Sequence, residues 1–72
     1  MGDENRTAQE VLDEVYDSLK TKGYDPINQL TGYLLTSDPS YITVYNGARN
    51  KIRSVETEDL IVELLESYFR NR

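Results

Sequence analysis

No cysteine, histidine or tryptophan occurs anywhere in the 72 residues. Without thiols no disulfide can staple the chain, and without histidine as well no zinc cluster can hold it together. A chain of this length buries only roughly 60% of the surface its unfolded form exposes. Stability must then come from close helix packing or from self-association. The missing histidine also removes the commonest general base, and there is no glycine-rich phosphate loop and no metal-ligand spacing. An enzyme is not expected, nor is any cofactor. Long apolar runs are lacking too. "MGDENRTAQE" holds no apolar leader, and nothing approaches the length of a membrane span. The absence of cysteine fits a reducing compartment. The expectation is a single cytoplasmic domain over residues 1–72, not inserted in a membrane, with residues 1–6 flexible.

Positive charge is scarce, with 8 Lys and Arg against 13 Asp and Glu and a net charge of -5. General nucleic-acid binding needs a broad basic surface and is not expected. The charge is also unevenly placed. Residues 1–17 carry six acids and one arginine, whereas 46–54 carry Arg49, Lys51 and Arg53 with no acid among them.

What is present reads as helix. Thr7-Ala8-Gln9-Glu10 is a capping box, and Ala8, Val11, Leu12, Val15, Tyr16 and Leu19 follow at helical spacing. Lys20 and Lys22 suit the negative end of that helix, and Gly23 supplies a left-handed stop. Asp25-Pro26 places a capping carboxylate ahead of a proline at the first helical position. Ile27, Leu30, Tyr33 and Leu34 make the buried stripe expected behind it. Asp38-Pro39 repeats the device and starts a shorter turn or helix. Gly32, inside the second helix, costs about 1 kcal/mol relative to alanine. Either a crossing helix backbone approaches it closely or it is simply tolerated. "YITVYNG" has strand-forming residues and an Asn-Gly hairpin signal, but "ARNKIRS" is a poor return strand. Residues 41–47 are therefore read as turn and loop, followed by a short basic helix over Ala48–Ser54. Thr57 is placed to cap a last helix, in which Leu60, Ile61, Leu64, Leu65, Tyr68 and Phe69 form a stripe too wide for one neighbour. That width predicts a second protomer. The fold class expected is all-α, a small compact domain of four to five helices that pairs as a homodimer. Leu60, Leu64, Tyr68 and Phe69 are its core or dimer residues.

The remaining features have plain explanations. Glu10 with Glu14, and Asp13 with Asp17, lie at i, i+4 on the outer face of the first helix, a usually solvated arrangement that costs a few tenths of a kcal/mol in like-charge repulsion. A basic surface would relieve it, the Arg49/Lys51/Arg53 segment being the nearest candidate. Asp17-Ser18-Leu19 is the tripeptide that carries phosphopantetheine in acyl carrier proteins, but there the serine opens the second helix. Ser18 falls late in the first, on what reads as its solvent side. Tyr16, Tyr33 and Tyr68 are placed on apolar stripes. Tyr24, Tyr41 and Tyr45 flank turns and are available to a contact surface.

"KGYDPINQLTGYLLTSDPSYI", then "ARNKIR", then "EDLIVELLESYF" resembles the IreB family, also called ReoM, small regulatory phosphoproteins of Gram-positive bacteria. The likeness spans about residues 11–70. Lys22, Gly23, Tyr24, Pro26, Asn28, Gln29, Gly32, Tyr33, Asp38, Pro39, Tyr41, Ile42, Ala48, Arg49, Ile52 and Arg53 match the family pattern, which has glycine where Ser37 stands. The resemblance implies an all-helical homodimer phosphorylated on threonine by a membrane Ser/Thr kinase with extracellular PASTA repeats. It further implies a part in cell-envelope synthesis and antibiotic tolerance. The family's threonine lies in an N-terminal extension, so the kinase target is expected upstream of Gly2-Asp3 in the full-length protein, and Thr7 is not its equivalent. The family's Pro-Arg after Tyr-Ile is Thr43-Val44 here, and its Glu-Arg before the last helix is Glu56-Thr57. Arg49, Arg53, Tyr41 and Tyr45 are the expected interaction surface toward a regulatory protein partner. The competing expectation is a dimeric helix-turn-helix-like DNA reader using residues 48–54 as its basic helix.

Overall fold

The computed structural model describes residues 7–72, so the expectation of flexibility for residues 1–6 lies outside the described residues. The fold is all-α: α1 (Ala8–Thr21), α2 (Pro26–Thr36), α3 (Ala48–Arg53) and α4 (Thr57–Arg70), with 3-10 turns at Pro39–Tyr41 and Tyr45–Gly47 between α2 and α3. The described residues include no strand.

Helix ends follow their caps. The Thr7 hydroxyl accepts from the Glu10 N–H at 3.1 Å, and the Glu10 carboxylate accepts from the Thr7 N–H at 3.1 Å, which completes the capping box. At the other end of α1, Gly23 at φ 86° donates to the Lys20 carbonyl, and Tyr24 donates to that of Leu19. That pair of bonds is a Schellman stop. Asp25 accepts from the N–H groups of Ile27 and Asn28, and Asp38 accepts from that of Ser40. This bond to the Ser40 backbone, then one to its side chain, holds the Asp38 carboxyl below the usual aspartate range. α4 departs from expectation. Its N-cap is Glu56, which makes no side-chain capping bond. Thr57 is already helical, and its hydroxyl lies 3.3 Å from that of Ser37.

α1 is the central element. The core is Val11, Leu12, Val15, Leu19, Tyr33, Ile42, Ala48, Ile52 and Leu60. Four of these nine come from α1, and α2, α3 and α4 each pack against it. Burial of each large aliphatic side chain contributes about 1.5–3 kcal/mol. Ser18 is buried with them at 3% exposure, which corrects its placement on the solvent side. It lies seven residues from Val11 and three from Val15, on the face that meets the neighbouring helices, where a small side chain lets them approach. The stripe assigned to α2 is also narrower than expected. Tyr33 is buried and Leu30 and Leu34 pack on the core, but Ile27 is 64% exposed.

Candidate interaction surface

The connector from Ser37 to Gly47 owes its shape to side chains reaching its backbone from both flanking helices. From α2, the Gln29 amide donates to the Tyr41 carbonyl at 2.8 Å. From α3, the Arg49 Nε donates to the Ile42 carbonyl at 2.8 Å. Between those two carbonyls Ile42 is fully buried, so the connector is pinned where it enters the core. Gly32 explains the approach. The Tyr41 ring lies where a Cβ at Gly32 would stand, so the close neighbour is a ring from the connector and not a crossing helix. Asn46 (φ 56°, ψ 26°) and Gly47 (φ 72°, ψ 14°) are both left-handed. These are the angles of a type I′ turn. The hairpin signal in the sequence was therefore a true turn signal, but the turn leads into helix α3 instead of a returning strand.

The basic segment is partly engaged within the chain. Lys51 Nζ lies 3.0 Å from Glu14 Oε1, both side chains about a third exposed or less. This ties α3 to α1 and corrects the reading of Glu14 as an outer-face carboxylate. Arg49 is half-buried by its bond to Ile42, whereas Arg53 is exposed. Tyr41 and Tyr45 are both exposed at about two fifths. The Lys22 ammonium sits over the Tyr45 ring at 5.3 Å, an arrangement of the cation–π kind. Arg49, Tyr41 and Tyr45 are thus brought to the connector, and Arg53 lies one turn further along α3.

A second surface lies on α4. Only Leu60 of this helix is buried. Ile61, Val62, Leu64, Leu65, Tyr68 and Phe69 are all 39% exposed or more. Leu64 borders a shallow groove against α1, lined also by Gln9, Leu12, Asp13, Glu63 and Ser67. Tyr68 and Phe69 meet edge to face with ring centroids 5.1 Å apart. Within one chain, then, Tyr68 is not a core tyrosine, and neither is Tyr16, which is 37% exposed with Lys20 over its ring. Of the three tyrosines assigned to apolar stripes, Tyr33 alone is buried.

No cluster of potential metal ligands occurs among the described residues, and none of their helices is long and apolar enough to cross a membrane. The family model described as IreB regulatory phosphoprotein matches residues 1–70. The chain belongs to the IreB family, whose role is regulatory and non-catalytic and is linked to PASTA-kinase signalling and control of the cell envelope.

Proposed function

We propose that the chain regulates by docking, as a cytoplasmic homodimer that meets a further regulatory protein through its connector and α3 and so bears on cell-envelope synthesis and antibiotic tolerance. The observation that carries the reading is the outer face of α4. Six large apolar side chains stand there against a single buried one, Leu60, and a contiguous exposed apolar patch on a small protein marks an interaction site. A second α4 is its occupant, because a two-fold axis presents the same stripe on both partners.

Arg53 is the contact residue proposed for the further partner. It is exposed and makes no ion pair among the described residues, so an acidic partner meets an uncommitted guanidinium. Arg49 joins it less freely, since its Nε serves the Ile42 carbonyl. Charge reversal at Arg53 is expected to leave folding unchanged and to weaken capture of the partner from an extract of the source cell. Undiminished capture by Arg53→Glu would contradict the assignment.

Kinase control is proposed to act on a threonine upstream of Gly2-Asp3 in the full-length protein. The Thr7 hydroxyl is committed to its cap. Stoichiometric phosphate on Thr7 after incubation with the cognate kinase would overturn that placement. DNA reading gains no support: α3 has six residues, and Arg49 and Lys51 are both engaged within the chain.

A further inference from the structure

Asn46-Gly47 combines exposure with a reactive pairing. An asparagine followed by glycine has the least obstructed route to imide formation, because the attacking backbone nitrogen carries no neighbouring Cβ. The Gly47 nitrogen bonds to Asn46 Cγ and loses its proton, and the side-chain nitrogen departs as ammonia. Water then opens the five-membered imide at either carbonyl, leaving aspartate or isoaspartate. No oxidant, metal or enzyme is required.

The turn holds these groups apart. Ring closure needs Asn46 Cβ and the Gly47 nitrogen on the same side of the Cα–C bond. At ψ 26° tetrahedral geometry puts them nearly opposite one another. The Gly47 N–H is also engaged, donating to the Val44 carbonyl at 3.1 Å. Rotating ψ far enough for attack breaks that bond and dismantles the type I′ turn. We infer that Asn46 is a self-modification site whose rate is set by opening of the connector, so that the chain carries a chemical record of how often this turn unfolds.

The products differ in consequence. Aspartate keeps the backbone length and adds one negative charge close to the Lys22–Tyr45 pair. Isoaspartate inserts a backbone atom, and the type I′ turn cannot re-form. α3 then loses the approach that lets Arg49 reach the Ile42 carbonyl. Its effect on the proposed partner contact rests on the docking reading, but the chemistry does not.

The test incubates the full chain at neutral pH, folded and in denaturant, and follows residue 46 by peptide mapping and isoaspartyl detection. Local opening free energies reach up to the global stability, so modification in the folded chain is expected on the order of tenfold or more slower than in denaturant. Asn46→Gly keeps a residue that accepts positive φ and is expected to abolish the isoaspartyl product at this position. Equal rates in both conditions, or no modification of Asn46 even in denaturant, would overturn the inference. A mapped isoaspartyl peptide that persists in Asn46→Gly would do the same.

Discussion

At Gly32 the absence of a side chain is a requirement imposed from nine residues further on: the Tyr41 ring occupies the space a Cβ would need. Alanine there improves helix propensity by about 1 kcal/mol, but overpacking against the ring costs about 1–3 kcal/mol. Gly32→Ala is expected to lower the denaturation midpoint in the natural background and to raise it when Tyr41 is also alanine. The same sign in both backgrounds would show that ring and glycine are uncoupled. Ser37 presents the opposite case. It ends α2 at φ 60°, a conformation that suits glycine and costs a residue with Cβ about 1–2 kcal/mol. Ser37→Gly is expected to stabilise by about 0.5–1 kcal/mol, and a lowered urea midpoint would contradict it. Three side-chain caps were legible in the sequence because a cap acts on groups two or three positions away, whereas Thr57, expected as a fourth, lies inside α4. Thr7, Asp25 and Asp38 needed no tertiary information. Gly32 could be flagged but not explained, since its partner comes from the connector and not from a crossing helix.

At the scale of elements, α1 and α4 look alike in the sequence and behave differently. Both are fourteen residues long with a clear apolar stripe. α1 receives three helices and buries Val11, Leu12, Val15, Ser18 and Leu19, whereas α4 buries Leu60 alone. Periodicity identifies which side chains share a face but not whether anything covers it. That is why the pattern places Ile27 in a buried stripe although it is exposed, and why it leaves open whether the face of Tyr68 meets its own chain or a second one. The contrast within α4 makes its own prediction. Leu60→Ala should cost about 2–5 kcal/mol of folding stability. Leu65→Ala, at 54% exposure, should change folding of the single chain by no more than about 0.5 kcal/mol and weaken self-association instead. Equal losses in denaturant unfolding at high dilution would mean that Leu65 is packed within its own chain. The ends of the connector were partly legible as well. Asn46-Gly47 announced a type I′ turn, but the arginine that pins the preceding segment, Arg49, read only as a surface charge.

The whole molecule is a small helical core with one helix, α4, incompletely used. Nine buried apolar residues among those described hold the chain together, and no disulfide can be formed to supplement them. Regulation by a protein of this kind depends on surfaces that folding leaves uncovered, and α4 and Arg53 are two of those among the described residues. The proposed pairing of α4 follows from the width of its apolar stripe and from the family resemblance, and the choice of Arg53 follows from the acid-free basic segment 46–54. Self-association through α4 is the claim on which the rest of the docking account stands. Sedimentation equilibrium at micromolar concentration, on the natural chain and on Leu65→Asp, tests it directly. The natural protein is expected at twice the 8.3 kDa chain mass, and the variant as a folded species of the single-chain mass. A natural chain that sediments only at 8.3 kDa, or a variant that stays fully dimeric, would contradict it.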